Sequence, residues 1–152
     1  MSLDIKKGTQ FPNIKFVDNN RKSFKIENDK IILFDFWSTK CGICYEKFPD
    51  LERLYLKYKD NKDVQIYSVH VPYPQDNFSS TLELIEKLNY KFPTLFAVSK
   101  NETMEKLNFN SFPYYIIIQN NKIVYSGFFE TDEGIIVGNT EREIDRLLEI
   151  NK

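Results

Sequence analysis

Cys41 and Cys44 are the only cysteines in the 152-residue chain, and two residues separate them. Two thiols at that spacing can close into a disulfide and reopen, which is two-electron redox chemistry. Cys41 comes shortly after the largely apolar run from Ile31 to Trp37 and stands where a helix should begin. Free backbone N–H groups and the positive end of a helix dipole favour a thiolate there. Lys40 adds a neighbouring positive charge. Cys41 is therefore expected to have a lowered pKa and to act as the nucleophile. Cys44, one helical turn further in, is expected to resolve the mixed disulfide by attacking Cys41. Two other readings stay open on spacing alone. Half of a zinc site also reads C-x-x-C, but four ligands are needed and only His70 remains as a soft one. A disulfide with no redox role is the other.

Asp35 is the second candidate. Its neighbours from Ile31 to Trp37 are all apolar, so its carboxyl is expected to be buried with a raised pKa. It could take the proton from Cys44 when that thiol must attack and return it on reduction. A solvated strand edge is the alternative placement. His70, the single histidine, ends a strand and reads as a surface or hydrogen-bonded residue. Trp37 is expected to be half exposed beside the site or else packed in the core. Glu52, Arg53, Lys57, Lys59 and Asp60 read as a solvated helix face.

Composition bounds what these residues can be part of. The length suits one domain with one core. Formal net charge is -1 and no basic run occurs, so neither nucleic acid nor an anionic membrane surface is an expected partner. No apolar stretch is long enough to span a bilayer. Two closely spaced cysteines do not make a disulfide-stapled scaffold. The start at Met1-Ser2-Leu3-Asp4 lacks the basic and apolar stretches of an export leader. Tyr45 follows Cys44, so the haem-attachment pattern C-x-x-C-H is absent and no haem is expected to be carried. No metal and no cofactor beyond the Cys41–Cys44 disulfide are expected.

The elements that must position these residues follow from periodicity. Residues 13–26 read as a hairpin, with Ile14, Phe16, Phe24 and Ile26 alternating about a turn at Asp18-Asn19-Asn20. Ile31 to Trp37 suits a strand buried on both faces. A helix is expected from about Cys41 to Tyr58, with Phe48, Leu51, Leu54, Tyr55 and Tyr58 on one face and a kink at Pro49. Val64 to Val71 is the next strand. A helix over 81–88 opens at Ser80, with Glu83 at capping-box spacing. Phe92 to Val98 is a short apolar segment, and Asn101 to Leu107 one or two helical turns. Tyr114 to Ile118 and Ile123 to Phe129 form a hairpin about Asn120-Asn121. The last helix opens at Thr140, with Glu143 at the capping-box position, and buries Ile144, Leu147 and Leu148. The alternation describes an α/β sheet with helices on both faces and an antiparallel edge.

The segment from Phe34 to Cys44, FDFWSTKCGIC, resembles the active-site segment of thioredoxins. Gly8, Phe11-Pro12 and the hairpin before the long strand resemble the TlpA/ResA-like branch, as do Tyr90-Lys91-Phe92-Pro93 and the approach from Leu107 to Pro113. Pro49 matches the family's helix kink and Gly127 the glycine of the edge strand. The resemblance implies a thioredoxin fold over residues 1–152, with an N-terminal hairpin extension at 1–30 and a central insertion at about 72–98. It implies a cis bond at Pro113, and a place beside the cysteines for Trp37, Lys40, Gly42, Ile43, Phe112 and Pro113 as substrate-binding residues. Asp35 falls at the position of the buried thioredoxin acid. The implied activity is exchange with protein disulfides or thiols, reduction being the expected direction, with an upstream thiol donor. A monomer outside the cytoplasm, periplasmic or membrane-anchored with its signal outside this sequence, is expected, with the cytoplasm as alternative. Departures are Lys40 for the usual Trp, Ile43 for Pro, Tyr114 for Thr, and Lys47 where the branch often has Glu. Two further functions share the fold: a peroxiredoxin-like thiol peroxidase, against which Ser38 stands in place of Thr, and a non-catalytic metal- or protein-binding domain.

Overall fold

The computed structural model describes residues 7–128 and 136–151, and side chains at 136–138 are not described. The first residues of the chain and the end of the expected strand at Phe129 lie outside the described residues.

Six strands form one mixed sheet in the order β1-β4-β3-β2-β5-β6. The strands are β1 (Phe16–Val17), β2 (Ile31–Trp37), β3 (Val64–His70), β4 (Thr94–Ala97), β5 (Tyr114–Gln119) and β6 (Lys122–Phe128); the helices are α1 (Gly42–Tyr58), α2 (Phe78–Leu88), α3 (Lys100–Leu107) and α4 (Ile136–Ile150). This is the α/β thioredoxin fold. The run with no polar alternation, β2, lies at the centre with every residue buried. It pairs in parallel with β3 and antiparallel with β5.

The parity of β2 divides the core. Ile31, Leu33 and Trp37 face α1 and α4, where Cys44, Phe48, Leu51, Leu54, Ile144 and Leu147 complete one cluster. Ile32, Phe34 and Phe36 face the other way, packing with Phe11, Phe16 and Leu107 of α3. Helices thus cover both faces, and the abundant phenylalanines fill the second layer.

Local chemistry sets several boundaries differently from the periodicity. The helix expected over 81–88 begins three residues earlier, because Asn77 is the N-cap and its side chain accepts the Ser80 N–H at 2.8 Å. Ser80 is thereby drawn into the first turn. The last helix begins at Ile136, so Thr140 lies within it, fully buried. Its Glu143 pairs forward with Arg146 rather than back to a cap. α3 opens one residue before expectation because Ser99 caps it. The N-terminal hairpin is short. Val17 bridges Ser23, and β1 pairs mainly with β4. The β5–β6 turn falls at Asn120 and Asn121, both with positive φ, which suits the right-handed twist of the flanking strands. α1 continues through Pro49.

Candidate active site

Both cysteines sit at the C-terminal end of β2. Cys41 is the N-cap of α1 with extended backbone, and its Sγ accepts the Cys44 N–H at 3.0 Å. A sulfur in that place occupies the position of a capping oxygen. It satisfies one of the helix's orphan N–H groups and sits at the positive end of the dipole. The two residues are joined as a disulfide with Cα atoms 5.3 Å apart. Cys41 is partly exposed, whereas Cys44 is 1% exposed and packs in the core with Trp37 and Phe48. Only Cys41 is open to an incoming molecule.

The remaining sequence candidates divide into surface and interior. Lys40 and Gly42 are exposed, and Ile43 is among the exposed large apolar residues. A Cβ on Gly42 would meet nothing within 4 Å, so the fold does not require glycine there, and the backbone is open to an approaching chain. The Phe112–Pro113 peptide is cis. Pairing of Tyr114 with Phe36 puts it at the same end of the sheet as the Cys41 turn. Phe112 is half-buried between the two core clusters. Tyr114, the departure from Thr, is buried and stacks on Phe109 at 4.6 Å. Of the two placements expected for Trp37, the structure shows the packed one. It is 1% exposed, held edge-on by Phe48 at 5.2 Å and His70 at 5.2 Å. Strand parity directs it into the core, where it packs with Cys44 and Phe48 beneath the site.

Asp35 is 2% exposed, and its Oδ1 has no hydrogen-bond partner. It lies on the strand face that carries Leu33 and Trp37 toward Cys44. Its lateral neighbours are Ser68 on β3 and Tyr115 on β5. Burial pushes its pKa well above the ordinary carboxyl range. The Tyr115 hydroxyl also lacks a partner, and its pKa is raised by burial and by Asp35. Neither nearby lysine supplies a counter-charge. Lys40 is exposed, and Lys47 lies 3.9 Å from Asp50.

His70 is buried rather than on the surface, with Nε2 3.3 Å from Asp76 Oδ2. Burial lowers its pKa despite the opposing pull of Asp76. The sequence reading missed Asp76 and the partners that bring it to the site. It lies 37 positions from Thr39 in the chain, and no local pattern links them. Among the described residues, no three His, Cys, Asp or Glu side chains are grouped to hold a metal.

The Redoxin family profile matches residues 6–148. The chain belongs to the Redoxin family. Its Cys41–Cys44 pair and fold make it a thioredoxin-like thiol–disulfide oxidoreductase. The thioredoxin-like protein YneN of Bacillus subtilis is 22% identical over 152 residues, covering 98% of this chain and 82% of that protein. A protein disulfide-isomerase of Drosophila melanogaster is 30% identical over 94 residues, or 62% of this chain; the match spans 17% of the isomerase's length. Among solved structures, a thiol:disulfide interchange protein from a Bacteroides species superposes with TM-score 0.73 at 22% identity, covering 92% of this chain and 91% of that one. The thioredoxin domain of a thiol-disulfide oxidoreductase from Bacteroides vulgatus gives 0.74 at 23% identity, covering 93% and 99%. These structural likenesses concern the fold.

Within this Redoxin the dipeptide between the cysteines occupies the first turn of α1, where proline's fixed φ is well suited. Ile43→Pro is expected to keep the fold and to shift the reduction potential of the couple, because the first turn sets how well the helix start stabilises a thiolate. Equilibration with glutathione buffers measures it; a potential unchanged within error removes Ile43 as a tuning residue.

Proposed function

We propose that this chain exchanges its Cys41–Cys44 dithiol with disulfides in other proteins, acting as a reductase. The observation that supports this most is the asymmetry of the pair: a partly exposed Cys41 at a helix N-cap above a buried Cys44. The exposed sulfur meets the substrate, and the buried one is protected from it and reacts within the molecule. In this reading Cys41 attacks the substrate disulfide and one substrate thiolate leaves. Cys44 then loses its proton and attacks Cys41, releasing the second substrate thiol and closing the disulfide. The substrate is reduced by two electrons and the enzyme oxidised by two. A separate thiol donor must restore the dithiol.

Lys40, Gly42, Ile43, Phe112 and Pro113 form the substrate contact. An extended substrate segment pairs with the backbone beside Phe112, a form of β-augmentation. Asp35 serves Cys44 as proton acceptor. The chain acts as one thioredoxin-like domain and a monomer. Residues 1–30 form an N-terminal extension, and about 72–98 an insertion that carries α2 and β4. The compartment is extracytoplasmic; one relative by structure is described as an exposed lipoprotein thioredoxin of Streptococcus pneumoniae. No helix among the described residues is long and apolar enough to cross a membrane.

The direction of exchange is tested by the potential of the couple. A reductase is expected near the thioredoxin value of about -270 mV. A value near about -120 mV, where strong oxidants lie, overturns the reductase assignment.

A further inference from the structure

We propose that Asp76 is a positioning residue for Cys41, acting through Thr39. This deepens the reading above and rests on Cys41 being the nucleophile.

The segment that delivers Cys41 to the helix is a tight turn. The Cys41 N–H donates to the Ser38 carbonyl at 3.1 Å, and the Lys40 N–H to Ser38 Oγ at 3.2 Å. Thr39 is the peg of that turn, held from two sides. Its hydroxyl donates to Asp76 Oδ1 at 2.8 Å, and its carbonyl accepts from the Tyr45 hydroxyl at 3.0 Å. Tyr45 belongs to α1, so it ties the turn to the helix that carries both cysteines. Asp76 belongs to the loop after β3, so it ties the turn to the sheet.

Asp76 is itself fixed. Its Oδ2 accepts the Tyr73 N–H at 2.9 Å, and its own N–H donates to the Tyr73 carbonyl at 2.9 Å. The Val71 N–H donates to the Trp37 carbonyl at 2.9 Å, joining the start of that loop to the end of β2. His70 Nε2 lies 3.3 Å from Oδ2. Burial alone would raise the Asp76 pKa, but Tyr73, Thr39 and His70 together hold it below the usual range. An ionised acceptor makes a stronger bond to the Thr39 hydroxyl than a neutral one.

The consequence for Cys41 is geometric. Its Sγ must stay at the helix start to receive the Cys44 N–H, and the turn before it sets that position. With the Asp76 anchor gone, Thr39 keeps only the Tyr45 bond, and the turn can pivot on it. The thiolate then spends less time on the helix N–H groups and loses part of their stabilisation. A bare charge effect has the opposite sign, since removing a nearby carboxylate favours a thiolate. The two causes are therefore separable.

The experiment follows iodoacetamide alkylation of the reduced protein against pH, with the labelled cysteine located by mass spectrometry and thermal unfolding measured alongside. Thr39→Val and Asp76→Ala are each expected to slow Cys41 alkylation at neutral pH about fivefold, the scale of one ordinary hydrogen bond, and to raise its apparent pKa. The double variant should be no slower than either single one, as for two halves of one contact. Asp76→Asn keeps one acceptor oxygen for Thr39 but sets its amide NH2 against the Tyr73 N–H, so it should recover part of the rate that Asp76→Ala loses. Additive losses overturn the proposal, as does an unaltered pH profile in Thr39→Val, a variant that spares the fold even if Asp76→Ala does not. Should the wild-type protein be labelled first at Cys44, the nucleophile assignment falls and this proposal with it. Normal labelling at Cys41 with unaffected variants removes the positioning role alone.

Discussion

Cys41→Ser is expected to abolish disulfide exchange, whereas Cys44→Ser is expected to preserve the first attack and stall the reaction as a mixed disulfide. The difference comes from where each sulfur sits. Cys41 caps α1 and is the sulfur within reach of a partner; Cys44 lies beneath it, 1% exposed. A serine hydroxyl at position 41 has no means of ionising near neutral pH, so turnover should fall by at least about a thousandfold, the scale of losing a covalent nucleophile. With Cys44 replaced, the bond between Cys41 and the substrate sulfur forms but has no internal thiol to break it. The trapped species should run as a larger band on a non-reducing gel and collapse with dithiothreitol. Both variants should fold. Serine is smaller than cysteine by little, and the core around Cys44 is otherwise complete. Trapping by Cys41→Ser through Cys44 would reverse the assignment of the two roles.

The chemistry was legible in the sequence because it is local. A buried strand followed at once by a helix puts Cys41 at an N-cap whatever the rest of the chain does, and the helix expected over 41–58 forms from Gly42 to Tyr58 with Cys41 as its cap. The same holds for β2, whose run is apolar but for Asp35 and suits a strand buried on both faces, and for Asn120-Asn121, whose tolerance of positive φ makes the turn. Where the reading missed, a stronger local competitor or a distant partner decided. Asn77 took the cap that Ser80-x-x-Glu83 seemed to offer. For Trp37 the reading left exposure and core packing open, and strand parity decides for the core. Asp76 and Tyr45 carry no signal at all, since their importance lies in meeting Thr39 across the fold.

Asp35→Asn is expected to slow the second step by about a hundredfold, in the range that proton transfer by a placed side chain supplies, while leaving attack by Cys41 nearly intact. Asp35 is buried, unpartnered at Oδ1 and has its pKa raised by burial alone. An acid in that state is neutral at a pH where an exposed carboxyl is charged, so it can exchange a proton with a thiol as few carboxyls can. Cys44 is the thiol that needs this, because burial disfavours its thiolate and no helix N–H caps its sulfur in the way Cys44 N–H caps Cys41. The same burial makes a second, independent expectation about stability. The folded pKa of Asp35 is raised above its unfolded value, so the native state binds the proton more tightly than the unfolded chain does. Stability is therefore greatest below the unfolded pKa of about 3.9 and declines as pH rises from there through the folded pKa. Asparagine does not ionise and should remove that decline, so the variant gains on the wild type as pH increases and gains nothing from this cause in acid. Stopped-flow release of the mixed disulfide measures the first effect and denaturant unfolding across pH the second. A variant with the stability gain but full turnover and an unaltered pH–rate profile would show that the buried acid belongs to the fold and not to the reaction. Loss of both effects would mean that Asp35 is solvated in the working protein.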